Sequence, residues 1–320
     1  MKAPDHIDQS VAMEINIDIL SKNEQLALAL RTLYAKNGYS YYRMSRFEEL
    51  ELYTGNRDFL VSPDILTFTD KNGKLMALKP DVTLSIVKNR KDDPCTVDRL
   101  CYSESVFRVP KEADSFREIS QTGVECIGNV TDDDVADVTV LASESLDIVS
   151  KDNVLVISDL DILNKVITSV TDDTELQKKL IFLAGQKNVN AIEKLTADSG
   201  INGNAAGLLR QLLSLPGAGG ETFESLDQIC SYFGCKELSG SFRSTFNKIS
   251  GRLGGNSSKI RIDFSVTGDL KYYNGIVFCG FVKGVHTGIL SGGRYDGLME
   301  KLGKKSKAIG FAVRTDIVSF

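Results

Sequence analysis

The stretch LCYSESVFRVPKEADSFREISQTGVECIG, residues 100–128, decides the fold that the sequence predicts. Two extended runs, 97–109 and 116–127, are separated by a short polar loop. Runs of this kind, joined through a polar connection, are typical of an antiparallel pair of strands. Because alternate side chains of a strand lie on the same face, Gln121 and Glu125 are predicted to share one face of this pair.

The segments around the hairpin alternate between helix and strand signals. The run from Ser21 to Glu24 matches the S-x-x-E capping box that begins a helix. Asn72-Gly73 between two short extended runs is a strong hairpin signal, and Pro80-Asp81 then begins a predicted helix. Further strands are predicted at 259–264, 272–281, 286–291 and 308–313.

A different pattern occupies residues 159–250, where Leu and Ala recur at intervals of three and four residues. This period is typical of amphipathic helices. We therefore predict an α+β fold in which a mostly antiparallel sheet is flanked by helices. The predicted core domain consists of residues 1–158 and 251–320, and residues 159–250 form a helical insertion subdomain.

The composition argues against several classes of protein. The 320 residues carry a formal net charge of -5, whereas nucleic-acid binders usually have a basic bias. No apolar run approaches the roughly 20 residues that cross a bilayer, and the first ten residues lack a signal-peptide core. Six cysteines are irregularly spaced and only two histidines are present. We therefore expect a cytoplasmic protein with reduced thiols, no metal site, no cofactor and no membrane or nucleic-acid partner.

Polar side chains recur inside segments that otherwise resemble strands. Arg108, Gln121 and Glu125 lie in the central hairpin, while Asp81 and Thr83 lie at a predicted helix start. A polar strand face is more often solvated than ligand-binding. The pattern alone leaves both interpretations open.

Two adjacent tyrosines raise the same question. Tyr272 and Tyr273 stand between a charged pair and an apolar run in GDLKYYNGIVF, residues 268–278. Consecutive residues of a strand point to opposite faces. The tyrosines therefore either line a pocket or belong to a strand with one solvent-exposed face and one buried face.

The hairpin and the segment before it resemble histidyl-tRNA synthetases. MALKPDVTLSIV, residues 76–87, is similar to the synthetase stretch that contains R-P-E-G-T. Residues 100–128 resemble the second signature motif of that synthetase class. Within it, Gln121 and Glu125 match the Q-x-x-x-E that holds the substrate histidine.

Three later segments extend the resemblance over nearly the whole chain. Residues 268–278 are similar to the histidine-specific L-D-Y-Y-N segment, SGGRYDGL at 291–298 matches closely, and AIGFAV at 308–313 resembles the start of the third signature motif. The resemblance implies a class II aminoacyl-tRNA synthetase-like fold. Arg294 and Asp296 within the second of these segments are either site residues or a structural ion pair.

The departures from the synthetase pattern lie on the ATP side. The resemblance places an arginine that acts on the carboxylate at Gly268 and an aspartate at Lys271. It places the Glu-Arg of the third motif at Asp316 and Ile317, and a glutamate of the second motif at Pro110. Adenylation needs preorganised cations around a transferring phosphorus centre, so their loss argues against that reaction.

The histidine side is retained. The resemblance implies that Asp81 and Glu125 pair with the α-ammonium group of histidine. Without an arginine at position 268, either another donor such as Arg108 or Lys271 receives the ligand carboxylate, or the ligand binds elsewhere. No catalytic residue is predicted. The predicted histidine-binding residues are Asp81, Thr83, Arg108, Gln121, Glu125, Tyr272 and Tyr273.

A synthetase-like body with these losses resembles the regulatory subunits of ATP phosphoribosyltransferase, the first enzyme of histidine biosynthesis. This resemblance implies a subunit without catalysis of its own. It implies that the subunit activates a short catalytic subunit, carries feedback inhibition by histidine and forms a hetero-octamer built on synthetase-like dimers. Two alternatives remain: an active histidyl-tRNA synthetase-like adenylating enzyme, and a histidine-binding scaffold for another partner.

Overall fold

The computed structural model describes residues 17–56, 60, 64–109, 114–215, 217, 219–267 and 272–317. Within these residues the strands form a large sheet and a small one. The strands of the large sheet are β1 (Ser40–Tyr41), β5 (Val97–Arg108), β6 (Arg117–Gly128), β7 (Asn153–Asp159), β8 (Ile260–Ile262), β9 (Asn274–Val282), β10 (Leu290–Arg294) and β11 (Lys307–Arg314). Those of the small sheet are β2 (Phe47–Glu49), β3 (Thr67–Thr69) and β4 (Leu75–Leu78).

The helices pack around these sheets. They are α1 (Lys22–Lys36), α2 (Leu50–Thr54), α3 (Val82–Asn89), α4 (Asp132–Val149), α5 (Leu160–Val170), α6 (Thr174–Gly185), α7 (Val189–Asp198), α8 (Gly203–Leu213), α9 (Gly220–Tyr232), α10 (Lys236–Leu253) and α11 (Asp296–Lys301).

The large sheet is mostly antiparallel, as predicted. Its strand order is β1-β5-β6-β11-β10-β9-β7-β8. Only the outer pairs β1–β5 and β7–β8 are parallel. The central hairpin is confirmed, because β5 and β6 pair from Val97 opposite Gly128 to Arg108 opposite Arg117. Its connecting residues 110–113 lie outside the described part of the chain.

Local sequence signals account for several element boundaries. Ser21 forms the predicted capping box with Glu24 at the start of α1. Gly73 adopts a φ of 81° between β3 and β4, a conformation that glycine reaches without strain. Asp81 is the N-cap of α3 and accepts a hydrogen bond from the backbone N–H of Leu84.

The strand predicted at 272–281 begins two residues later than expected. Tyr272 and Tyr273 precede β9, which starts at Asn274. The pairing of β9 with β10 is irregular there, with a register shift between Gly293 and Arg294. The strand rule that sends neighbouring side chains to opposite faces therefore does not apply to the two tyrosines.

Helices α5 to α10 follow one another between Leu160 and Leu253, where the insertion is predicted. Their buried side chains belong to the same hydrophobic cluster as those of α4 and the large sheet. The division into a core domain and an insertion subdomain therefore stays a prediction. Among the described helices, none is both long and apolar enough to cross a membrane.

Candidate functional site

A cleft of about 590 Å³, including its open mouth, lies on one face of the large sheet over β6, β11 and β10. Its walls come from the start of α3, the central hairpin and the segment that precedes β9. The structure brings together all the residues predicted to bind histidine, namely Asp81, Thr83, Arg108, Gln121, Glu125, Tyr272 and Tyr273.

Glu125 is the most buried of the acidic residues in the cleft, with 2% of its surface exposed. Its Oε1 accepts a hydrogen bond of 2.5 Å from the hydroxyl of Thr83, and its Oε2 accepts one of 2.6 Å from the hydroxyl of Tyr295. Burial raises the pKa of Glu125 to about 8, although both hydrogen bonds oppose the shift. The carboxyl is therefore largely protonated at neutral pH, and a cation bound beside it would favour its ionised form.

A glycine on the neighbouring strand makes room for this carboxylate. Gly310 of β11 lies directly opposite Glu125 of β6. A Cβ atom at position 310 would lie 1.9 Å from Oε2 of Glu125. The position of the carboxylate thus depends on the absence of a side chain at 310.

Opposite charges occupy different walls of the cleft. Asp81 stands at the N-terminus of α3, where burial raises its pKa while the N–H of Leu84 and the charge of Arg108 lower it. Burial lowers the pKa of Arg108, and Asp81 opposes that shift. The cleft therefore combines two carboxyl groups with a guanidinium, an arrangement suited to a ligand that carries both an ammonium and a carboxylate.

Aromatic rings form a further wall. The ring centroids of Tyr272 and Tyr273 are 4.7 Å apart, and those of Tyr272 and Tyr295 are 5.8 Å apart. Burial raises the pKa of Tyr272 and of Tyr295, so both phenols stay neutral near pH 7. The wall offers flat apolar surface together with hydroxyl groups for a planar polar ring.

Tyr295 is a site residue that the sequence did not single out. The sequence instead indicates its charged neighbours, Arg294 and Asp296, as possible site residues. Nε of Arg294 lies 2.6 Å from Oδ2 of Asp296, and Oδ1 of Asp296 accepts a hydrogen bond from the N–H of Ala308. These two residues form a structural ion pair, while Tyr295 between them reaches the cleft.

The ATP side differs from the synthetase pattern in the structure as well. Ile317 packs against the main hydrophobic core, at a position where the resemblance places an arginine. Asp316 is paired with Arg314, with 3.0 Å between Nη2 and Oδ2. Pro110, Gly268 and Lys271 lie outside the described residues.

Comparison with known sequences identifies relatives of this chain. The family model for histidyl-tRNA synthetase matches residues 14–318. The ATP phosphoribosyltransferase regulatory subunit of Thermoanaerobacter sp. (strain X514) is 30% identical, over 89% of this chain and 75% of the relative. The subunit of the same name from Thermoanaerobacter pseudethanolicus is 31% identical over the same shares.

Solved structures agree on the fold. An ATP phosphoribosyltransferase regulatory subunit/histidyl-tRNA synthetase from Bacillus halodurans C has a TM-score of 0.79 at 23% identity, covering 92% of this chain and 78% of that one. The ATP phosphoribosyl transferase (HisG:HisZ) complex from Thermotoga maritima has a TM-score of 0.67 at 17% identity, covering 97% and 98%. The predicted synthetase-like fold is thus confirmed, and the chain belongs to the histidyl-tRNA synthetase-like family of ATP phosphoribosyltransferase regulatory subunits.

Proposed function

We propose that this chain joins a short catalytic ATP phosphoribosyltransferase subunit in the cytoplasm, activates it and makes it sensitive to feedback inhibition by histidine. The observation that carries the proposal is the charge pattern of the cleft. Two carboxyl groups, those of the half-buried Asp81 and the buried Glu125, share it with the guanidinium of Arg108 and an aromatic wall. This pattern complements an amino acid that has a planar polar side chain.

Each part of histidine has a matching group. Its α-ammonium pairs with Asp81 and Glu125, because a cation favours the ionised form of both carboxyls. Its imidazole lies against Tyr272 and Tyr273, whose hydroxyl groups can donate or accept hydrogen bonds. Its carboxylate turns toward Arg108. Gln121 and Thr83 complete the polar lining.

Feedback through this cleft requires thermodynamic linkage. Histidine shifts the activity of the assembly only if it binds the inhibited state more tightly than the active one. We propose that the assembly is a hetero-octamer whose regulatory chains are paired as synthetase-like dimers. Binding in one chain is then transmitted through its contacts with the catalytic subunit.

The geometry supports sensing better than adenylation. A synthetase stabilises the phosphates of ATP with fixed cations. Position 317 holds an isoleucine that packs against the core, so it supplies no charge to such a site. The proposed role is therefore non-catalytic.

Glu125→Gln is the sharpest test, because it preserves the size of the side chain and removes the carboxyl that would ionise when the ammonium group binds. In the complex assembled with the catalytic subunit, we expect the histidine concentration for half-inhibition to rise about tenfold or more. Glu193→Gln is the matched control, since Glu193 forms an exposed ion pair with Arg210 in the helical region. The control should give the unmodified inhibition curve.

Three outcomes would contradict the proposal. Unchanged inhibition of the Glu125→Gln complex would place the sensor elsewhere. Histidine-dependent ATP–pyrophosphate exchange by the isolated chain would favour an adenylating enzyme. Failure to co-purify with a catalytic phosphoribosyltransferase would favour a scaffold for another partner.

A further inference from the structure

Arg314 ends β11 on the same face of the sheet as the cleft. Gly310 and Ala312 of this strand line the cleft, and alternate residues of a strand share a face. The residue directly opposite Arg314 on β6 is Gln121, which is itself a lining residue. The strand register therefore places a second guanidinium, besides that of Arg108, beside the cleft.

The hydrogen bonding of Arg314 is incomplete. Its Nη2 donates to Oδ2 of Asp316 at 3.0 Å, and about a quarter of each side chain is exposed. Nε of Arg314 and Oδ1 of Asp316 are buried, and neither has a hydrogen-bond partner among the described residues. Buried polar atoms of this kind are rare and costly. The pair thus retains unused capacity to bind a further polar group.

Arg314 and Arg108 are close enough to repel each other. Burial lowers the pKa of Arg108, and the positive charge of Arg314 lowers it further. Asp81 offsets part of this effect from the other wall. Two partly buried guanidinium groups, one in the cleft and one beside it, favour an anion close to both, because the anion reduces their repulsion and accepts paired hydrogen bonds.

We propose that Arg314 acts with Arg108 to receive the α-carboxylate of the amino-acid effector, and that it makes the cleft select ligands that retain this carboxylate. The inference rests on the histidine-sensing function proposed above. In the synthetase pattern, the arginine that acts on the carboxylate stands at the position of Gly268. In this chain, Arg314 of β11 would take over that role. Arg314 is thus a specificity-determining residue of the sensor.

Calorimetric titration of the full chain with two ligands tests the inference. L-histidine carries the carboxylate, and L-histidinol has a hydroxymethyl group in its place. We expect Arg314→Gln to weaken L-histidine binding about tenfold or more, as for the loss of a hydrogen bond between charged groups. Its affinity for L-histidinol should stay within about twofold, since no carboxylate is present to be recognised.

Three further variants complete the design. Glu125→Gln should weaken both ligands, because both carry the ammonium group. Arg314→Lys retains a charge without the planar fork, and should weaken L-histidine less than Arg314→Gln does. Arg210→Gln removes an arginine from an exposed ion pair with Glu193, which joins α8 to α7, and should change neither affinity. Retained L-histidinol binding also shows that the Arg314 variants are folded.

The outcomes separate this inference from the proposed function. If Glu125→Gln weakens L-histidine binding and neither Arg314 variant does, the inference is overturned and the proposed function stands. Equal losses for both ligands in the Arg314 variants also overturn it. If the unmodified chain, alone and assembled, binds no L-histidine, the proposed function is overturned together with the inference.

Discussion

The carboxylate of Glu125 and the α-carbon of Gly310 face each other across β6 and β11 with no space for a methyl group between them. The same carboxylate is held by Thr83 and Tyr295 from two other parts of the chain. The acidic centre of the cleft is therefore confined on several sides. Its position is sensitive to changes that leave every charged residue in place.

Gly310→Ala is expected to displace Glu125, because the new Cβ would lie 1.9 Å from Oε2. Overpacking of this kind costs about 1–3 kcal/mol of unfolding free energy. Histidine affinity should fall together with the stability. Denaturant unfolding and calorimetric titration measure the two effects.

The matched control is Gly207→Ala in α8, where a Cβ meets nothing within 4 Å. Alanine is favoured over glycine in helices by about 1 kcal/mol, so this variant should be as stable as the unmodified chain or more so. If Gly310→Ala retained both stability and affinity, the contact between β11 and Glu125 would be unimportant.

Histidine binding should release a proton. Burial raises the pKa of Glu125 to about 8, so the carboxyl is mostly protonated at pH 7. An arriving ammonium favours its ionised form, and affinity should rise with pH up to about 8, by at most about tenfold per pH unit. Calorimetry in buffers of different ionisation enthalpy should show about one proton released at pH 7.

The variant Glu125→Gln tests whether the released proton comes from residue 125. Its binding heat should be far less dependent on the buffer, because residue 125 then has no proton to release. A buffer-independent heat for the unmodified chain would contradict the protonated state of Glu125.

The stability of the ligand-free chain should fall as the pH rises. A carboxyl with a raised pKa binds its proton more tightly in the folded state than in the unfolded state. For Glu125 the stabilisation is complete below the ordinary value of 4.5 and is lost as the pH passes about 8. Unfolding free energies measured at several pH values should show this decline between those limits.

Glu125→Gln should flatten that decline, and saturating histidine should also reduce it by favouring the ionised carboxylate. The exposed substitution Glu193→Gln should leave the slope unchanged. A slope that is equal in all variants would show that burial of Glu125 does not govern it.

The ion pair between Lys79 and Glu104 is expected to be important for folding. Nζ of Lys79 lies 3.0 Å from Oε2 of Glu104, and the lysine side chain is fully buried. Lys79 also donates to the carbonyl of Ser45. Glu104→Gln removes the charged partner of a buried cation, which should cost about 3–5 kcal/mol in denaturant unfolding.

An exposed pair provides the comparison. Nζ of Lys74 lies 2.6 Å from Oε1 of Glu49, with about half of each side chain exposed. Glu49→Gln should change the unfolding free energy by less than about 1 kcal/mol, because exposed pairs contribute little. Equal losses in the two variants would mean that burial does not strengthen the dependence of Lys79 on its partner.

Patterns within one segment allowed much of the site to be predicted. The four-residue spacing of Gln121 and Glu125 places both on one strand face, and the structure confirms that both line the cleft. Pro80-Asp81 indicates a helix start, and Asp81 caps α3. In both cases the geometry depends on residues only a few positions apart, so the local sequence is enough to predict it.

Contacts between distant segments were harder to predict. Tyr295 and Gly310 act on Glu125 through the pairing of separate strands, and no local period reveals which residue a neighbouring strand places opposite. The same holds for Arg314. Tyr272 and Tyr273 line the cleft as predicted, but the predicted strand start at Tyr272 is wrong, because irregular pairing delays the start of β9 to Asn274.

The hydrogen bond between Tyr295 and Glu125 joins residues 170 positions apart in the chain. Gly310, which shapes the same pocket, comes later still. During synthesis, the proposed sensor is therefore incomplete until β11 has emerged and inserted between β6 and β10. Chains in which β11 is not yet in place lack this pocket, so we expect histidine to stabilise only molecules in which that strand has joined the sheet.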